Sequence, residues 1–233
     1  MKLEARRLGV DLKGRPVLAG VDFSAQPAEV TAVIGPNGAG KSTLLRTLAG
    51  LLLPTAGAVL ADGRRLGDWE RGALARSLAY LPQERTARAV DTRAIDAALA
   101  AMDVMHLATR PVLEMSGGER ARVLVARALA QEPAVLLADE PAAGLDPAHQ
   151  LALFAHFARL AAGGRTVVVA LHDLSLAARF CHSIVLMHEG RVVAAGTPQD
   201  VLTVEHLAAV YRIDARVATL DGVPVVLPRA LLP

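Results

Sequence analysis

The 233-residue chain holds a single cysteine, Cys181, so neither an intramolecular disulfide nor a cysteine-built zinc site is available. A lone cysteine of this kind reads as a small buried apolar side chain. Aromatic residues make up 3%, too few for a base-stacking surface of the RNA-binding kind. Lysine is scarce as well, confined to Lys2, Lys13 and Lys41 among many arginines. The 25 basic and 23 acidic residues leave a formal charge of +2, so no nucleic-acid partner is expected. The longest uncharged run, between Arg46 and Asp62, contains Pro54 and two glycines. It falls short of the roughly 20 apolar residues that a spanning helix needs. The N-terminus, MKLEARRLGVDLK, lacks the apolar core of a secretory signal. These absences lead to the expectation of a protein that does not cross a membrane, with the cytoplasm as the default place.

What is present is a good supply of core. Hydrophobic residues make up 53% and charged residues 21%, which suits one large domain over 1–233, or one carrying a small lobe. Short apolar runs at Thr31–Ile34, Ala134–Ala138, Thr166–Leu171 and Ile184–Met187 alternate with helical patterns at Lys41–Ala49, Pro147–Ala161 and Leu174–Phe180. Continuous apolar strands between helices predict an α/β fold whose parallel sheet is buried on both faces. The first 30 residues read instead as an antiparallel β layer folded about the Lys13–Gly14 turn. A helical segment at Thr92–Leu107 breaks the alternation and predicts a small lobe inserted at about residues 84–130.

Gly35-Pro36-Asn37-Gly38-Ala39-Gly40-Lys41-Ser42-Thr43 fits the pattern G-x-x-x-x-G-K-[ST], between an apolar strand and a helix. The glycines let the backbone curl so that successive N–H groups face a β-phosphate, and the helix presents its positive end to the same anion. Lys41 is placed to reach the β- and γ-oxygens, and the Ser42 hydroxyl to hold Mg²⁺. The strand Val135–Ala138 ends in Asp139 and Glu140. Ligands bind at the carboxyl edge of a parallel sheet, so Asp139 is a candidate for Mg²⁺. Glu140 then becomes the candidate base for a water attacking the γ-phosphate.

Between these two motifs lies Met115-Ser116-Gly117-Gly118-Glu119, ahead of the helical ARVLVARALAQEP. With the phosphate loop, the ADEP strand end, Leu145-Asp146 and His172 in this order, the chain resembles the ATP-binding-cassette (ABC) ATPases. The likeness covers nearly the whole sequence and implies a P-loop NTPase core with ATP and Mg²⁺ as ligands. It implies a head-to-tail homodimer in which Ser116, Gly117, Gly118 and Glu119 close on the nucleotide held by the partner's phosphate loop. A Ser-Gly-Gly turn opening a helix is an anion cradle in its own right. By the same resemblance Gln83, in Tyr80-Leu81-Pro82-Gln83, senses Mg²⁺ and the attacking water. Asp146 contacts the opposite subunit, and His172 touches the γ-phosphate and orients Glu140. The other six histidines read as surface or packing residues.

Two departures stand out. The family usually stacks adenine on an early aromatic, whereas the aligned position here is Leu12, which implies weak discrimination of ATP from GTP. Ser116 follows Gln83 at a spacing of only 33 positions, so the inserted lobe is short where the family meets its membrane partner. The stretches LDPAHQ and LHDLSLAAR, with the ending GR…GTP…VLT and VYR, are similar to the iron-chelate, haem and vitamin B12 importer ATPases. That likeness implies integral-membrane permease subunits, a substrate-binding protein acting through them, and a place on the cytoplasmic face of the membrane. The alternatives are a non-catalytic nucleotide-binding regulator on the same fold, or a transporter ATPase for another cargo.

Overall fold

A computed structural model of the chain describes residues 1–81, 92–111, 114–130 and 133–232. The first layer is the hairpin of β1 (Leu3–Leu12) and β2 (Arg15–Ala25), which turns at Lys13–Gly14. β3 (Val30–Ile34) then leads through the phosphate loop into α1 (Lys41–Leu48). β4 (Ala56–Ala61) and the short β5 (Arg64–Arg65) return to the first layer, giving a sheet of order β2-β1-β4-β5. α2 (Arg71–Ser77) and β6 (Leu78–Leu81) follow. Among its described residues, the intervening segment contains α3 (Thr92–Ala101), a 3₁₀ turn at Met105–Leu107, and α4 (Gly117–Leu129).

The chain re-enters the core with β7 (Val135–Asp139), α5 (Pro147–Ala162), β8 (Thr166–Ala170), α6 (Leu174–Phe180) and β9 (Ser183–His188). It closes with β10 (Arg191–Gly196), α7 (Pro198–Val201), α8 (Val204–Tyr211) and the hairpin β11 (Ile213–Leu220)–β12 (Val223–Leu231). The central sheet runs β10-β9-β3-β8-β7-β6. Five of its strands, β9, β3, β8, β7 and β6, are mutually parallel, and β10 is an antiparallel edge on β9. Sequence and structure agree on the α/β class, the antiparallel first layer and the parallel core.

The uninterrupted apolar strands have a direct physical reading. On β8, Val167 and Val169 face one core while Val168 and Ala170 face the other, and all four are fully buried. The first core packs the sheet against α5, where Phe154 meets Phe157 edge-on and stacks on Phe180. The second packs it against Leu44, Leu45 and Leu48 of α1 and the inner side of β1 and β2. Burying a side chain such as Leu45 contributes about 1.5–3 kcal/mol, so the two layers hold the sheet from both faces. Cys181 is buried in the first core, and burial pushes its thiol up to about 12, so it is packing and not a nucleophile. Among the described residues, no helix is long and apolar enough to cross a membrane.

Candidate functional site

The strand order puts the carboxyl ends of β3, β8 and β7 side by side. β3 delivers the phosphate loop, β8 delivers His172 and β7 delivers Asp139 with Glu140. Three segments far apart in sequence therefore open on one edge, as ligand sites of parallel sheets do. A cleft of about 480 Å³ lies there, lined by Val17, residues 37–43, Glu140 and His172.

The loop's curl depends on Gly35. Its φ is +148°, and an added Cβ would run into the Met187 carbonyl oxygen on β9. Lys41 is buried, and its Nζ donates to the carbonyls of Gly35 at 2.9 Å and Pro36 at 3.2 Å. Burial lowers its pKa, while the charges of Glu140 and Asp139 act in the opposite direction. An ammonium held by carbonyls at the mouth of a polar cleft is a ready counter-charge for an anion.

Ser42 Oγ donates to Asp139 Oδ1 at 3.1 Å, and Tyr80 Oη donates to Asp139 Oδ2 at 3.1 Å. The Tyr80 bond forms because β6 pairs with β7 in a register that sets Tyr80 opposite Leu137, while Ser42 reaches the same carboxylate from the first turn of α1. Asp139 lies two residues beyond Leu137, on the same face, within reach of a long aromatic side chain. Burial raises the Asp139 pKa, the Ser42 and Tyr80 hydrogen bonds pull it down, Glu140 raises it and Lys41 lowers it. The Tyr80 hydroxyl is in turn pushed well above its ordinary value by burial and by Asp139. A hard cation takes hydroxyl and carboxylate oxygens, and Ser42 and Asp139 offer one of each, already side by side.

Glu140 is one residue past the strand, with φ +50°. For a non-glycine residue that conformation costs of order 1–3 kcal/mol, and such costs concentrate at functional sites. It turns the carboxylate off the strand face and toward His172, whose Nε2 lies 2.6 Å from Oε1. The backbone N–H of Glu140 is fixed on the Ala170 carbonyl at 3.2 Å. A carboxylate at hydrogen-bond distance from an imidazole, both on the cleft wall, can accept a proton from a water in that cleft.

The remaining sequence candidates lie elsewhere. Ser116 is the N-cap of α4, where its hydroxyl accepts the Glu119 N–H at 3.2 Å and Glu119 Oε2 accepts the Ser116 N–H at 2.8 Å. The Ser116 bonds lower the Glu119 pKa. Asp146 caps α5 through the His149 N–H, which lowers its pKa, and Gly117 lies next to Gly144 of the same loop. Thus Ser116–Glu119 and Asp146 form a second locus that takes no part in lining the cleft. Leu12 pairs with Arg15 at the β1–β2 turn and is 37% exposed; Val17 lines the cleft where it does not. Gln83 lies outside the described residues. Val17, Tyr80 and His149 are the participants that motif reading passed over, since none belongs to a phosphate-binding pattern.

Residues 18–143 match the family described as ABC transporter. The chain is 42% identical over 240 residues to the Hemin import ATP-binding protein HmuV of Pseudomonas aeruginosa, covering 92% of this chain and 94% of that protein. It is 43% identical over 241 residues to the Cobalamin import ATP-binding protein BtuD of Halobacterium salinarum, covering 94% of this chain and 60% of that one. Among solved structures it is similar to cbiO1 from Clostridium perfringens, described as part of the ABC transporter complex cbiONQ. There the TM-score is 0.76 at 29% identity, over 89% of this chain and 92% of that chain. The sheet order, the phosphate loop and these likenesses lead to one assignment: the chain belongs to the ABC transporter family and is an ATPase of its ATP-binding kind.

Proposed function

We propose that the chain is the ATP-hydrolysing motor of an importer for haem, cobalamin or a related iron chelate, working as a head-to-tail pair of copies. The relatives named for hemin and cobalamin import support the cargo class. The permease subunits sit in the membrane, a binding protein supplies cargo through them, and the motor lies on the cytoplasmic face. The observation that carries the hydrolytic part is the convergence of Glu140 and His172, 2.6 Å apart, on the cleft that the phosphate loop lines.

In this reading the backbone of residues 35–43 cradles the β-phosphate, and Lys41 leaves its carbonyl partners to meet the β- and γ-oxygens. Ser42 and Asp139, with Gln83, would hold Mg²⁺, which would supply charge neutralisation for the triphosphate. Glu140 takes a proton from water as the water oxygen bonds to the γ-phosphorus and the bond to the β-phosphate oxygen breaks. His172 holds that carboxylate in line. Ser116–Glu119 and Asp146, set apart from their own cleft, complete the site of the other copy. Two trapped nucleotides keep the pair closed, and hydrolysis releases it.

Glu140→Gln keeps the shape and removes the base. The expected result is ATP bound without turnover and a dimer trapped by Mg-ATP, seen by size-exclusion chromatography. Hydrolysis near the parent rate would overturn the assignment. Co-purification with a multi-helix permease tests the transport half.

A further inference from the structure

The second locus has an internal tie that neither the motifs nor the proposed mechanism uses. His149 stands in the first turn of α5, three residues after Asp146. Its Nδ1 lies 2.5 Å from Asp146 Oδ2, while its backbone N–H donates to Asp146 Oδ1 at 2.9 Å. One residue thus holds both oxygens of that carboxylate. The other side of the same ring lies on Gly118: a Cβ added there would run into Cδ2, Cγ and Nε2 of the imidazole. Gly118 is buried in the first turn of α4, whose N-cap is Ser116, and the neighbouring Gly117 faces the Gly144 carbonyl across the same seam.

We infer that His149 is a positioning residue that locks the Ser116–Gly118 turn and the Asp146 loop into one rigid unit. The imidazole fills the space that glycine leaves open at 118, so the fit is mutual. Any side chain at 118 would displace the ring, and loss of the ring would leave an unfilled notch beside the turn. Neither helix start can then shift without the other. This inference rests on the head-to-tail reading for its consequence: both faces of the unit would meet the partner copy together. The ordering cost of closure is then met once, before nucleotide arrives, and not twice during closure.

Two measurements separate this inference from the reading beneath it. In the nucleotide-free protein, His149→Ala is expected to speed amide hydrogen exchange at Arg120, in the first turn of α4, together with Gln150 in α5. Their amides donate to Ser116 and Asp146. His149→Gln, which keeps bulk and a donor for Asp146, is expected to restore most of the protection. Unchanged exchange at Arg120 in His149→Ala overturns the inference whatever the oligomeric state. In the Glu140→Gln background, His149→Ala is expected to weaken Mg-ATP dimerisation about tenfold while nucleotide affinity of the monomer changes less than twofold. With Glu140 intact, kcat is expected to fall about tenfold at near-constant KM, and His149→Gln to recover it. Equal dimerisation with and without His149 overturns the inference. Absence of a dimer in Glu140→Gln alone overturns the proposed function, and the exchange result still judges His149.

Discussion

Tyr80 reaches across from β6 to place its hydroxyl 3.1 Å from Asp139 at the end of β7, sharing that carboxylate with Ser42. The bond matters because Asp139 is buried and its pKa is raised by that burial, with Ser42 and Tyr80 holding the rise in check. Tyr80→Phe removes one of the checks. The carboxylate then protonates at a higher pH than in the parent, and a protonated carboxyl is a poor ligand for a cation. The acid limb of Mg-dependent ATP binding is expected to move upward in pH. At a pH where the carboxylate is ionised in both proteins, the two affinities are expected to agree within about fivefold, the worth of one hydrogen bond of about 1 kcal/mol. Titration of Mg-ATP affinity against pH in the two proteins checks both. The stability effect has the same origin. The folded-state pKa lies above the unfolded value, so this group's contribution is most favourable at low pH and is lost as pH rises through the folded pKa.

Lys41 is a buried cation whose hydrogen bonds go to two carbonyls of its own loop. Lys41→Ala removes the counter-charge for a triphosphate while leaving the loop backbone in place. The expected outcome is loss of the ATP-induced rise in melting temperature. A variant that keeps the parent's nucleotide-dependent shift would show that the cleft binds triphosphate without it.

Much of this site was legible because a phosphate loop, an acidic strand end and a capped Ser-Gly-Gly turn are local patterns, each written in fewer than ten consecutive residues. The sheet was legible for the same reason, since a doubly buried strand leaves an unbroken apolar run such as Val167–Ala170. What escaped is set by pairing between distant segments. Tyr80 meets Asp139 through the β6–β7 register, 59 residues apart. His149 reaches Gly118 only because α4 and α5 start side by side, and Val17 reaches the cleft from a different sheet. No local pattern encodes those approaches. The αL turn at Glu140 was hidden too, because a carboxylate at φ +50° has no sequence mark of its own.

Gly35 offers a test of the loop's packing that is independent of nucleotide. With φ at +148° and the Met187 carbonyl oxygen in the way of any Cβ, Gly35→Ala strains the loop and pushes β9 away from it. A steric and backbone penalty of this type costs about 2–4 kcal/mol. For a chain of this length that is a fall in Tm of roughly 4–16 °C. Thermal denaturation without nucleotide measures it. An unchanged Tm would mean that the loop and β9 separate at little cost.

In the proposed reading, purine choice follows from the side chains that the first β layer brings toward the cleft. Val17 lines the cleft from the first β layer, and Leu12 at the β1–β2 turn of that layer is aliphatic and 37% exposed. Aliphatic contact supports either purine, whereas stacking on an aromatic ring adds about 1–3 kcal/mol per base in nucleic-acid systems. The expected preference for ATP over GTP is less than tenfold, measured by competition binding in Mg²⁺. Leu12→Tyr is expected to tighten ATP several-fold by providing the missing ring, without altering the Glu140–His172 pair. If the parent already prefers ATP by tenfold or more, or if Leu12→Tyr leaves both affinities unchanged, the base is recognised away from this turn.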